Sequence, residues 1–152
     1  MENLIMNSQW APGPGGGPQY FAAVGPVTYD KFSVNGYRSC SITLIPQMMM
    51  PMTAQDFYTL LINVSGVTAI NWGFTIRKID ADYIALAAEF FDGNMNPVRT
   101  FENPVTNAVS YEFMPVVSKF MVPFGAANVR LSIKFAGSVT ACTYYAPVAY
   151  YA

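Results

Sequence analysis

Two stretches of this chain alternate apolar and polar residues along their whole length. Ala69 to Ile79 reads AINWGFTIRKI, with Ile70, Trp72, Phe74 and Ile76 on one face and Asn71, Gly73, Thr75 and Arg77 on the other. Val129 to Phe135 reads VRLSIKF, with Val129, Leu131, Ile133 and Phe135 alternating with Arg130, Ser132 and Lys134. A period of two is the signature of a strand with one face buried. Further strands are expected at Phe21 to Val24, Tyr37 to Ile45, Phe57 to Val64, Tyr83 to Phe91, Val98 to Phe101, Val109 to Met114, Val117 to Val122 and Val139 to Tyr151. Turn signals separate them at Asn35-Gly36, Ser65-Gly66, Asp92-Gly93-Asn94, Phe124-Gly125 and Ala136-Gly137. Many short strands at this spacing predict an antiparallel β-sandwich or barrel. The one helical signal is Thr53, a cap for a single turn carrying Gln55 and Asp56, ahead of the strand at Phe57.

The chain has 152 residues, one domain by length and enough to bury a core. Charged residues are 11% and apolar residues 53%, with a net charge of −1. Soluble domains carry about 25% charged residues, so either a partner covers much apolar surface or the chain is poorly soluble alone, which favours an assembly subunit. The eight Lys and Arg are scattered, which argues against nucleic acid. The most apolar window, Ile42 to Val64, is broken by Pro46, Pro51 and Asp56, so no membrane insertion is expected. The first residues, with Glu2 and a short apolar run, do not read as a signal peptide.

There is no histidine. This removes His-based nucleophilic triads, His-ligated metals and the commonest general base. Asp80 with Asp82 and Glu89 with Asp92 are the candidate acidic pairs; the first lies between two expected strands, the ordinary place for solvated turn residues, and nothing around either implies a pocket or a tuned pKa. Asp92, Asn94 and Asn96 have calcium-loop spacing. The sixth position is Pro97 and the twelfth Asn103, where an EF-hand needs Gly and Glu, so the stretch reads as a hairpin turn. Asn63-Val64-Ser65 matches a glycosylation acceptor, but Val64 is expected in the core. No catalytic residue, cofactor or metal is assigned, and the chain is expected not to be an enzyme.

The two cysteines, Cys40 and Cys142, fit no zinc spacing; they can pair with each other, pair between subunits or stay buried as free thiols. Aromatics make up 15% of the chain. Tyr58, Tyr144, Tyr145, Tyr150 and Tyr151 are the candidates for stacking on sugar rings, although core packing comes first for such residues and protein interfaces second. The segment Pro46 to Thr53, PQMMMPMT, reads as an exposed loop whose methionines suit an adaptable contact surface.

The beginning of the chain stands apart. Residues 1–18 form an arm, with Leu4, Ile5, Met6 and Trp10 as an apolar peptide and APGPGGGP as a spacer that neither a helix nor a central strand accommodates. Residues 19–152 form the sandwich. The ordinary fate of such a terminus is a disordered tail; an apolar peptide on a spacer can instead add as a strand to a neighbouring copy, a head-to-tail contact that does not close on itself, or fold back on its own domain and give a monomer with a covered edge.

The order of segments resembles carbohydrate-binding-module jelly rolls. Tyr58-Thr-Leu60 running to Val64-Ser-Gly66, then Trp72, then Phe90-Phe-Asp-Gly-Asn94, then Val122-Pro-Phe-Gly-Ala126 with Val129-Arg-Leu131, follow the pattern of such modules over residues 37 to 151. The chain is also similar to small jelly-roll subunits of bacterial spore-surface and extracellular fibres, which leave the mother cell by lysis. The resemblance implies two antiparallel sheets with first and last strands adjacent, and hence Cys40 near Cys142. The ligand residues of sugar-binding members are missing, so no site is carried over. The expectation is an antiparallel jelly-roll β-sandwich with an extended N-terminal arm. It would act as a structural subunit that polymerises with copies of itself through that arm, outside the cell or on a cell or spore surface. A carbohydrate-binding module with glycan partners is the alternative.

Overall fold

The computed structural model describes residues 3–5, 21–24, 27–34, 37–43, 52–59 and 61–152. Met6, Trp10, the spacer, the Asn35-Gly36 turn and the methionines 48–50 lie outside these residues. The described strands are β1 (Phe21–Val24), β2 (Val27–Val34), β3 (Tyr37–Thr43), β4 (Met52–Thr59), β5 (Ile62–Asn63), β6 (Ala69–Phe91), β7 (Pro97–Pro104), β8 (Met114–Met121) and β9 (Asn128–Tyr151). A single 3₁₀ turn, Thr106–Ala108, is the helical element among the described residues.

Two long strands organise the molecule. β6 and β9 pair antiparallel from Ile70 opposite Tyr151 to Phe91 opposite Asn128. The first half of β9 and the second half of β6 form the centre of one sheet, ordered β1-β4-β9-β6-β7. The second half of β9 and the first half of β6 form the centre of the other, ordered β2-β3-β9-β6-β8. Register shifts cluster between Lys78 and Tyr83, where both strands cross from one sheet to the other. Extra residues at such points let a strand bend without losing its partner. The result is an all-β antiparallel jelly-roll sandwich.

The alternation of the sequence becomes the core. Ile70, Trp72, Phe74 and Ile76 from one sheet meet Val129, Leu131, Ile133 and Phe135 from the other, and all are buried. Burying each such side chain stabilises the fold by about 1.5–3 kcal/mol. Trp72 stacks edge-on against Phe74 at 4.6 Å, and Phe74 against Tyr144 at 5.5 Å. The indole N–H of Trp72 crosses the interior and donates to the Ser132 carbonyl at 3.0 Å.

The structure corrects several expected boundaries. Residues 69–79 and 83–91 belong to one strand, so Asp80 and Asp82 sit within β6 and not in a turn. Residues 129–135 and 139–151 likewise form one strand, and Ala136-Gly137 makes no turn. In both places a turn signal is absorbed by the bend. The segment expected as a strand from Val109 to Met114 runs along the edge of β6 between β7 and β8. Within it the Ser110 carbonyl accepts from Lys78 N–H, and just before it Val105 N–H donates to the Ile84 carbonyl while Thr106 Oγ1 accepts from the Ile84 N–H. Thr53 lies in β4 and caps no helix. β2 was not anticipated at all. The turns at Ser65-Gly66 and Phe124-Gly125 are present, with Gly66 at φ 74° and Gly125 at φ 87°, the left-handed region that glycine enters freely.

Candidate functional site

The broad outer face of the first sheet has an unusual floor. Along β6, Ile84, Leu86, Ala88 and Phe90 point into the core, so Tyr83, Ala85, Ala87, Glu89 and Phe91 point out. Along β9, Arg130, Ser132 and Lys134 point out for the same reason. Ala85 and Ala87 are nevertheless 0% exposed and Ser132 2% exposed, though none belongs to the core cluster. Small residues that are buried on an outer face are covered by the larger side chains around them. The register sets Ala87 beside Ser132 on one side and Glu102 on the other, and Ala85 beside Lys134 and Pro104. Tyr58 of β4 lies opposite Ser132.

Around this floor stand polar and aromatic groups. Arg130 Nη2 donates to both carboxylate oxygens of Glu89 at 3.0 Å, and its guanidinium lies 5.8 Å from the Phe91 ring centre. The Tyr83 hydroxyl donates to Glu102. Burial, reinforced by the hydrogen bond to Glu102 and by its charge, pushes the Tyr83 hydroxyl up to about 12. In the floor, the Ser132 hydroxyl is buried and has no hydrogen-bond partner. A buried, unsatisfied hydroxyl costs stability unless something arrives to bond it. Around its covered small residues this face offers donors and acceptors and pairs Arg130 with Glu89, so it suits a neutral, hydroxyl-rich ligand.

The residues singled out from sequence are placed as follows. Ile5 is buried in the core and Leu4 packs partly against it. Leu4 N–H donates to the Ala149 carbonyl at 2.7 Å, and Asn3 Oδ1 accepts from Ala149 N–H at 3.1 Å. This part of the arm therefore lies along β9 of its own chain. Cys40 and Cys142 are on paired strands as the resemblance implied, with Cys40 opposite Tyr144 and Ile42 opposite Cys142. Both are buried, and burial pushes the Cys142 thiol up to about 12.

Of the tyrosines, Tyr144 is a core residue and offers no platform to a sugar. Tyr145 packs against Phe113 at 5.3 Å. Tyr151 is exposed and donates to the Asn63 carbonyl at 2.8 Å. The side chain of Tyr58 lies outside the described residues. Val64 is buried, as its position in the glycosylation match suggested. Asp92 closes the β6–β7 hairpin: its Oδ1 accepts from the N–H groups of Asn94 and Asn96, both at 2.9 Å. Those bonds, the Asn96 one foremost, hold its carboxyl below the usual range. Sequence reading missed this face because its marks are two alanines and a serine, which look like filler until the register sets them side by side.

No protein-family model matches the chain, and no curated protein does. Solved structures do. A xylan-binding domain, CBM22-1 of Xyn10C from Paenibacillus barcinonensis, superimposes with a TM-score of 0.60 at 11% identity, covering 99% of this chain and 94% of that one. A family 16 carbohydrate-binding module gives 0.61 at 13% identity, over 97% of this chain and 99% of that one. The enzymatically active domain of tailspike protein 4 from bacteriophage CBA120 gives 0.70 at 14% identity, but this chain spans only 21% of its length. These likenesses establish the fold. They also overturn the expectation of a filament subunit: the neighbours that match end to end are carbohydrate-binding modules. Among the described residues no helix is long and apolar enough to cross a membrane.

Proposed function

We propose that this chain is a carbohydrate-binding module that holds a neutral polysaccharide on the outer face of its first sheet. The observation that carries the reading is the floor of Ala85, Ala87 and Ser132, buried on a face that points away from the core. Its rim of Tyr83, Glu89, Glu102, Arg130 and Lys134 has the mixed donors and acceptors that sugar hydroxyls need. Aromatic rims supply the apolar surface that the C–H faces of a pyranose prefer. The end-to-end fold likeness to modules described as binding xylan and other carbohydrates supports the same reading. Its role is binding and not bond cleavage, and its place is outside the cell or on its surface, where polysaccharides are.

Affinity electrophoresis against soluble xylans, mannans and mixed-linkage glucans tests this. One class retards the protein, and Ala87→Trp, which puts a bulky ring in the middle of this face, abolishes the retardation while thermal unfolding stays cooperative. If no polysaccharide is bound, or if Ala87→Trp binds as well as the parent, the reading is wrong.

A further inference from the structure

The outer face of the second sheet carries a different chemistry. Arg77 stands on β6 with its guanidinium 4.7 Å from the Phe113 ring centre. Phe113 is braced edge-on by Tyr145 at 5.3 Å. The register puts Arg77 opposite Thr143, whose hydroxyl is occupied by Ser41 at 3.0 Å. Arg77 Nε is buried and has no hydrogen-bond partner. No carboxylate forms an ion pair with Arg77 among the described residues, whereas on the first face Arg130 is answered by Glu89. A guanidinium seated over a ring, with its Nε donor unanswered, is preorganised for a planar anion such as a carboxylate.

Beside it runs the segment 110–113, tied down where Lys78 N–H donates to the Ser110 carbonyl at 2.9 Å. This segment presents Tyr111, 74% exposed, two residues before Phe113. Lys78 Nζ reaches the Thr106 carbonyl at 3.5 Å and adds a second positive charge to the strand. Together Arg77 and Lys78 outnumber the one acid of the segment, Glu112. An exposed ring two residues from the one that carries this guanidinium suits a sugar that brings its own negative charge: the ring takes the C–H face and the guanidinium takes the carboxylate.

We infer that Arg77, Phe113 and Tyr111 form a second site, selective for a uronic acid unit of an acidic polysaccharide. The inference rests on the glycan-binding reading but uses a face that reading leaves idle. A charged hydrogen bond of this kind changes affinity by roughly tenfold to a hundredfold.

Calorimetric titration with a galacturonate tetramer and with a neutral oligosaccharide tests it, with the Arg77 Nε–H resonance followed by NMR. The uronate binds the parent and shifts that resonance. Arg77→Gln weakens uronate binding by at least about tenfold and leaves the neutral sugar unaffected. Arg77→Lys, which keeps the charge but loses the flat fork, is also weakened. Uronate binding that survives Arg77→Gln, or that Ala87→Trp abolishes instead, overturns the second site. So does a glutamate peptide that competes as well as the uronate, since the site would then read carboxylates without the sugar. Neutral binding without uronate binding sinks this inference alone, while loss of both sinks the broader reading.

Discussion

Trp72 in one sheet and Ser132 in the other are joined by a hydrogen bond of 3.0 Å through the middle of the core. The same serine turns its hydroxyl to the outer face, where it lies in the floor of the candidate site without a partner. The interior tryptophan therefore helps set the height of that floor. Replacing it by Phe keeps most of the apolar volume and removes the donor. Trp72→Phe is expected to cost about 1–3 kcal/mol, read as a lower urea midpoint with an unchanged slope. Polysaccharide affinity should fall as well. A loss under about 0.5 kcal/mol, within the range of ordinary surface substitutions, would show that the bond contributes little.

Gly73 lies between Val117 of β8 and Val148 of β9. A β-carbon there would stand 2.0 Å from the Val116 carbonyl oxygen. No rotamer relieves that clash, because the obstacle is main chain. Gly73→Ala should therefore displace β8 and cost about 3 kcal/mol, the upper end of overpacking losses. Thermal unfolding measures the cost. Hydrogen exchange should place the new exposure in residues 114–121.

Ala146 adopts φ 53° where β9 gains a residue against β6, between Tyr145 opposite Thr75 and Val148 opposite Gly73. A side chain in this left-handed region is strained by about 1–3 kcal/mol, and Gly escapes that cost at the price of a more flexible unfolded chain. Ala146→Gly is expected to stabilise the protein by about 0.5–1 kcal/mol, seen as a rise in melting temperature. A lower melting temperature would mean that the methyl group's packing outweighs the strain.

Alkali should unfold the protein. Burial pushes Cys142 up to about 12, and burial with Glu102 pushes Tyr83 to the same level. Tyr144, buried completely, is held well above its ordinary value. In the unfolded chain these groups ionise near their reference values, between about 8.5 and 10. The folded state thus keeps protons that the unfolded state has lost. The stabilisation is whole below those reference values and is lost as pH rises toward 12. Denaturation midpoints should fall over that window, and Tyr83→Phe should flatten the fall.

The same burial keeps Cys142 protonated at neutral pH, so it resists alkylation in the folded state. An aromatic disulfide reagent should find few reactive thiols in native protein and two after unfolding without reductant. Finding none after unfolding would show that Cys40 and Cys142 had joined.

The core rows of β6 and β9 were legible because alternation is local: Ile70 to Ile76 and Val129 to Phe135 carry their face assignment in consecutive residues. The union of 69–79 with 83–91 was not. Asp80-Ala81-Asp82 has the composition of a turn, and only pairing with a bent partner makes it a strand. β2, VTYDKFSV, was missed because a charged pair, Asp30-Lys31, interrupts its alternation. The candidate binding face stayed invisible for a third reason. Ala87 and Ser132 are 45 residues apart in sequence and meet only through antiparallel register. Leu4 and Ile5 were expected to add to a neighbouring copy, but they lie against β9 and the core of their own chain, a pairing that no local pattern in the first residues signals.

Because β6 and β9 each run through both halves of the sandwich, neither layer can melt while its counterpart stands. Amide protons along the two strands should exchange at one common, slowest rate through global opening. A ligand seated on either face would protect the far layer as strongly as its own.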